Sequence, residues 1–407
     1  MRRARVIMII ILVVMFVKPD LNLAIAGAGV HALTLALHLI QKRKNFGDRF
    51  LAFDPSGSWL SQWHRQFAMQ EIPHLRSPAV HHPAPDAFNL RSFAESRTNE
   101  LHPPYDLPST ELFEDFCKQA IQEFKVNDRV VKATITRLEP LDPHFRLWLD
   151  DGNSLVARRV ILATNKTFVQ IPEWVNKIAE SYPKVRLVHS HSIDLRSLGS
   201  LFGEKIIIVG GGLTSGHLAM GAINRGAKVG LMSRRKLKAK VFDAEPGWLG
   251  PKYLKGFEAE TDWEKRRQMV ISARDGGSLT PEMLNRLEQA NRSGQVDFYE
   301  NCEVMKAEWK GNFWRLICED GMELNCDRLW LATGTKFDVK ADPLLTEIIE
   351  QFPIEVVGGF PIIDPCLRWK GCELFLMGGL AALQVGPTAR NISGARMASD
   401  RIIPALI

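Results

Sequence analysis

The chain carries six cysteines, Cys117, Cys302, Cys318, Cys326, Cys366 and Cys372, and no two of them stand as C-x-x-C. That absence argues against a dithiol reductase and against a zinc site, and it fits a reducing, cytoplasmic compartment. The apolar run Val6 to Val17 is too short to span a bilayer comfortably, since a spanning helix takes about 20 apolar residues. Net charge is also small: +6 over 407 residues, spread along the chain apart from the run Arg234 to Lys240 (RRKLKAK). No nucleic-acid motif accompanies that run, so it suits an anionic nucleotide better than a nucleic-acid surface. Adjacent His81 and His82 lack a helical i, i+4 face, and carboxylates near them are sparse, which disfavours a metal.

Against these absences stands an ordinary globular composition, 45% hydrophobic and 24% charged, long enough for two or three domains. Residues 1–20 are read as an apolar extension or anchor. Arg2, Arg3 and Arg5 before Val6 imitate a secretory signal, and Ala24-Ile25-Ala26 imitates its cleavage site. Cleavage there would remove the strand that the next motif needs. A membrane tether through residues 6–17, an upstream extension with Met15 nearer the true start, and an arm packed on the body remain as readings; the extension is preferred.

The chemistry is carried by two glycine turns. Leu21 to Ala26 reads as a buried strand, followed by Gly27, Gly29 and Ala32 in a G-x-G-x-x-A pattern and a helix from Ala32 to Gln41. The next strand, Phe50 to Phe53, ends on Asp54, placed to accept from a ribose hydroxyl. His31 reads as a packing histidine. The second turn follows the apolar strand Ile206 to Val209: Gly210 and Gly212 allow the backbone to turn tightly and approach a pyrophosphate, Ser215 fills the third place, and the helix beyond directs its free N–H groups at the anion. Its following strand ends in Ser233-Arg234-Arg235 where an NAD site would offer an acid. Arg234 and Arg235 therefore favour the 2′-phosphate of NADP over a merely solvated strand end.

Arg159 to Ala163 with Thr164, and Leu329 to Ala332 with Thr333-Gly334-Thr335, are two matching buried strands that bracket the second turn. The expected fold is therefore α/β, with two Rossmann-like dinucleotide-binding domains, the NADP domain inserted into the FAD domain: FAD over 21–170 and 336–407, NADPH over 171–335. Residues 55–108, crowded with Pro and His, read as a loop without long helices that wraps a cofactor, with Trp63, His64, Leu75, Arg76 and Ser77 lining it; surface packing is the plain alternative. Ser109 should cap a helix from about Thr110 to Phe124. Asp243 to Lys252 and Ser272 to Pro281 are long enough to reach the cofactor cleft; Asp243 with Glu245 is not expected to be catalytic, and Arg274 could meet a nucleotide phosphate. A helix over Pro281 to Ala290 leads to a strand pair around Val296 to Cys318. Another helix is expected over Thr388 to Ile403.

From Leu21 to Ile403 the chain resembles the flavin-dependent monooxygenases, in particular the lysine/ornithine N-hydroxylase group. The likeness rests on the paired fingerprints with their Ala-Thr strand ends, on Phe53-Asp54-Pro55 with Trp59, Trp63 and His64, and on Leu75-Arg76-Ser77-Pro78. It extends to Val188-His189-Ser190 and to Leu383-Gln384-Val385-Gly386-Pro387, which resembles a C-terminal flavin contact through Gln384 and Gly386. The resemblance implies FAD, NADPH and dioxygen, with a C4a-hydroperoxyflavin oxygenating an amine or another small nucleophile. Asn165 stands where the first Ala-Thr-Gly has glycine, and Ser77-Pro78 where many relatives carry an asparagine that supports the oxygenated intermediate. Two alternatives therefore stay open: a flavin-dependent NADPH reductase or oxidase without oxygen insertion, and a non-catalytic nucleotide sensor.

Overall fold

The computed structural model describes residues 18–407. The apolar segment 6–17, and the membrane association considered for it, lie outside them. Among the described residues no helix is long and apolar enough to cross a membrane.

Strand β1 (Leu21–Ala26) lies between β2 (Phe50–Asp54) and β3 (Ser154–Leu162), parallel to both, with Ile25 opposite Ala52 and Ile161. A strand flanked on both edges and covered on both faces has no place for polar side chains, which is why Leu23 to Ala26 is apolar throughout. Helix α1 (Val30–Lys42) connects β1 to β2 and buries its Leu and Ala positions. The complete sheet has seven strands: Val130–Lys132, β2, β1, β3, then the antiparallel pair His144–Leu149 and Ile135–Leu141, with Leu374–Leu376 also parallel to β3.

A second sheet is entirely parallel. It contains β4 (Lys205–Val209), β5 (Lys228–Ser233), β6 (Val296–Glu300) and β7 (Arg328–Leu331), in the order Leu187–His189, β7, β4, β5, β6. Helix α2 (Leu213–Ile223) joins β4 to β5. All five strands fall between two crossings of the chain, Phe168–Val169 and Thr335–Lys336, which pair antiparallel. The C-terminal helix α3 (Ile392–Leu406) returns to pack along α1.

Several local expectations change. The helix expected from Thr388 begins at Ile392, because the Thr388 carbonyl and Ala389 fold back onto Gly394 so closely that a Cβ there would collide with them. Val296–Glu300 joins the parallel sheet; the antiparallel partners are Val304–Trp309, Trp314–Cys318 and Glu323–Cys326. Residues 55–108 contain two helices, Ser61–Met69 and Asn89–Phe93. Ser109 does cap its helix, its side chain accepting from Leu112 N–H at 3.0 Å. Residues 171–335 build two apolar clusters of their own, and one stretch of them joins the cluster of the first sheet. Ala244, Trp248, Phe257 and Val270 are buried in the same apolar cluster as Ile25 and Phe375 of the first sheet.

Candidate active site

The two glycine turns are built alike. β3 and β7 each run beside the first strand of a fingerprint, and each ends with a backbone group against that fingerprint's first glycine. Gly27 has φ +94, and a Cβ on it would lie 3.2 Å from the Ala163 carbonyl oxygen; Gly210 has φ +148, and a Cβ on it would strike the Ala332 carbonyl. Only glycine meets both the conformation and the approach. The matching strand ends thus serve one physical purpose. Ala163 N–H donates to Ala26 O and Ala332 N–H to Val209 O, closing the sheet at the mouth of each turn.

At the first turn a Cβ on Gly29 would meet nothing within 4 Å, so the loop has open space before it. Ala32 is buried in the first turns of α1. The Asp54 carboxylate accepts from Ala28 N–H at 3.2 Å and from Ser56 Oγ at 2.5 Å, which fixes it at the end of β2 beside the glycines. His31 is buried, its Nε2 3.0 Å from the Ala389 carbonyl oxygen; burial lowers its pKa, so it is a neutral packing group that ties α1 to the C-terminal segment. Asn165 holds φ +47, the left-handed conformation that glycine supplies elsewhere and that asparagine tolerates. Its Oδ1 accepts from Gly379 N–H at 3.0 Å.

Other predicted residues fall differently. Trp63 stacks on Phe67 at 3.9 Å between centroids and lies 5.1 Å from Phe113, so it packs within the first domain. His64 meets it edge-on, with Nε2 buried and without a partner among the described residues. Ser77 Oγ is 2.8 Å from His81 Nδ1. Gln384 is buried and donates to the Ile363 carbonyl at 2.7 Å, so its amide is used inside the protein. Gly386 has φ +93 beside Leu254 and Phe257.

Arg76 departs furthest from expectation. Its guanidinium crosses to the second glycine unit, where it donates to the carbonyls of Lys240, Val241 and Ser278, to Ser278 Oγ and to Asp243 Oδ1 at 2.7 Å. Arg274, expected at a phosphate, also meets Asp243, at 3.2 Å, and donates to the Pro387 carbonyl at 2.9 Å. Burial alone would raise the Asp243 carboxyl, but Arg274, Arg76 and Arg390 around it hold it below the usual carboxylate range. Asp243 is thus an ionised tie, and Glu245 is engaged elsewhere, accepting from the Tyr253 hydroxyl at 2.6 Å. Glu71 to Arg225 at 2.6 Å and His74 to Glu282 at 3.2 Å extend the same seam.

At the second turn Ser215 is buried and donates to the Gly212 carbonyl at 2.6 Å, while Gly216 lets Met283 pack on α2. Arg234 is exposed. Arg235 is not open in the same way: it pairs with Asp275 at 3.0 Å and donates to the Asp275 and Gly277 carbonyls. Asp275 was not singled out from the sequence. A second feature without a spacing signal is the pair Cys302 and Cys318, buried with their sulfurs 2.9 Å apart.

Residues 24–167 match a family model described as FAD-NAD(P)-binding, which covers the first glycine turn through Asn165. Comparison with curated proteins finds no match by sequence. Among solved structures, the chain superposes on the ornithine N-hydroxylase of Kutzneria sp. 744, solved with reduced FAD, NADP+ and L-ornithine, with TM-score 0.77 at 15% identity over 95% of this chain and 99% of that one. The FAD-bound cadaverine monooxygenase of Erwinia amylovora gives TM-score 0.75 at 14% identity, covering 95% and 94%. The L-lysine 6-monooxygenase of Pseudomonas syringae gives 0.74 at 16%, covering 95% and 98%. The chain therefore has, over nearly its whole length, the α/β fold of these structures, and residues 24–167 carry the FAD-NAD(P)-binding family match.

Proposed function

We propose that the protein is an FAD- and NADPH-dependent monooxygenase acting on a small amine. FAD occupies the turn at Gly27 and Gly29, with Asp54 at its ribose; NADPH occupies the turn at Gly210 and Gly212, with Arg234 and Arg235 at its 2′-phosphate. The observation that carries this reading is the seam at Arg76, which fastens the proline-rich segment of the first unit directly onto the loops around the second turn. Two cofactor sites held in fixed relation are what hydride delivery from one to the other requires. When bound, the nicotinamide supplies the hydride and the flavin passes its electrons to dioxygen. The residues do the positioning: glycine backbones let the diphosphates approach, Asp54 orients a ribose, and Arg76 with Asp243 sets the distance. The fold's solved relatives act on ornithine, lysine and cadaverine, which supports an amine as the substrate class.

A second reading, reduction of dioxygen or another acceptor without oxygen insertion, is favoured by Ser77. Its hydroxyl is engaged by His81, and the position offers no carboxamide. One experiment separates the two. Purified protein is mixed with NADPH and a panel of amines under air, following NADPH, hydrogen peroxide and product mass. A product heavier by one oxygen, formed in proportion to NADPH, supports the monooxygenase. Peroxide equal to NADPH with every amine supports the second reading and removes the first.

A further inference from the structure

The basic run after β5 already holds an anion, and it belongs to the protein itself. The Asp275 carboxylate lies 3.0 Å from Arg235 Nη1, 2.8 Å from Lys238 Nζ and 3.4 Å from Lys240 Nζ. Three cations from one strand end thus converge on one carboxylate carried by a different loop. That loop reaches them through left-handed backbone, φ +50 at Asp275 and +69 at Gly276. A side chain on Gly276 would strike the Arg235 guanidinium. Gly277 then lies on the second glycine turn itself: a Cβ there would be 2.9 Å from Gly212 Cα and 3.1 Å from Gly212 N. The segment is pinned behind by Leu279 N–H donating to the Lys238 carbonyl at 2.9 Å.

Residues 275–277 therefore occupy the cations that a 2′-phosphate would meet and pack beside the second glycine turn. We propose that Asp275 is an internal stand-in for the 2′-phosphate of NADPH, which the nucleotide must displace, and that this competition limits the affinity for NADPH while leaving that for NADH unchanged. The inference rests on the NADPH reading of this turn. A nucleotide bearing a 2′-phosphate brings the three cations a replacement anion and releases the loop. One without it has nothing to offer them, and the carboxylate stays. Asp275 thus acts by competition, at an open site where each ion pair is individually weak and readily exchanged.

The test uses 2′,5′-ADP and 5′-AMP as probes in calorimetric titrations of the FAD-loaded protein, so that no turnover is required. Asp275→Asn should bind 2′,5′-ADP about tenfold more tightly than the parent while 5′-AMP changes less than about twofold, as removal of a competing anion predicts. Asp275→Glu, which keeps the carboxylate, should behave like the parent. Weaker or unchanged 2′,5′-ADP binding in the Asn variant overturns the proposal, since Asp275 would then position Arg235 or play no part. Weaker 5′-AMP binding also overturns it, because Asp275 would then be a ribose acceptor. Hydrogen exchange on the unaltered protein gives an independent measure: 2′,5′-ADP should speed exchange at Leu279 and 5′-AMP should not, and equal or slower exchange with 2′,5′-ADP counts against displacement. Anaerobic bleaching of the flavin by NADPH tests the underlying reading separately. Bleaching with a contrary titration removes only the role of Asp275.

Discussion

Arg76 and Asp243, 167 residues apart in sequence, meet at 2.7 Å and join the two nucleotide units. Arg76 is partly buried there, its side chain 13% exposed, and its planar fork serves one carboxylate, three carbonyls and a hydroxyl at once. Arg76→Ala should leave FAD bound but slow flavin reduction by NADPH by about tenfold to a hundredfold, because a misplacement of about 1 Å at a reacting pair has effects of that size. Arg76→Lys should rescue little, since one ammonium cannot replace a bidentate guanidinium. Rapid-mixing reduction under nitrogen measures this directly, and a reduction rate equal to the parent's in Arg76→Ala would mean that the seam does not set the hydride distance.

The two glycine turns make separable predictions. Gly29 has ordinary backbone, φ −75, and open space where its side chain would be, so Gly29→Val should fold with a melting temperature near that of the flavin-free parent and purify without flavin. Gly210 has φ +148 and the Ala332 carbonyl against it, so Gly210→Ala should lose NADPH binding, retain flavin and melt several degrees lower, as a loss of about 1–3 kcal/mol at a strained position implies. Flavin absorbance of the purified variants, with thermal melting by circular dichroism, checks both. Flavin retained in Gly29→Val would move FAD away from this turn.

Those glycines explain which parts of the molecule were legible. A left-handed or crowded backbone position admits few residue types, so Gly27, Gly210 and even Asn165 carry their conformation in their identity. The strand ends at Ala163 and Ala332 were readable as repeats because the same packing problem is solved twice. Contacts between distant side chains leave no such mark. Trp248, Phe257 and Val270 are merely apolar in sequence, and nothing local says that they bury against the first sheet rather than the second. Arg76 reads in sequence as one of the residues lining a cofactor loop, yet its partners come from loops more than 160 residues away. Asp275 carries no mark for the same reason: a lone acid before two glycines reads as a turn, and Arg235, Lys238 and Lys240 meet it only in the folded chain.

Arg234 and Arg235 were grouped in sequence, but the structure separates them. Arg234 is exposed, whereas Arg235 is committed to Asp275 and two carbonyls. Arg234→Ala should weaken NADPH by about tenfold, one charge-assisted contact, and leave both NADH affinity and melting temperature unchanged. Arg235→Ala should also weaken NADPH selectively and in addition loosen the 275–277 segment, seen as faster proteolysis there. Equal losses for NADPH and NADH in either variant would sink the 2′-phosphate assignment.

His38 and His82, the latter within the proline-rich segment, contribute to the pH dependence, as does His217, which burial likewise brings to about 4. His38 and His82 are 5% and 1% exposed, and each has a ring nitrogen without a partner among the described residues. Burial first, helped by Arg396, brings both to about 4; His82 and Lys42 add to the shift at His38 and His81 to that at His82, while at His82 the bond to the Ala87 carbonyl and the nearby Asp86 oppose it only in part. An unfolded histidine titrates near 6.5, so above that pH both states are neutral and the stability is fully present. As pH falls from about 6.5 toward 4, the unfolded chain takes up protons that the folded chain refuses, and stability is lost. A shift of this size corresponds to at most about 3 kcal/mol for one residue, and less than twice that for the pair because they share a site. The melting temperature should therefore fall between about pH 7 and pH 5, before most carboxylates titrate. His38→Gln removes one of these titrations and should flatten that fall. If the melting curves of the variant and the parent decline in parallel across this window, the loss belongs to other groups and the buried pair does not set it.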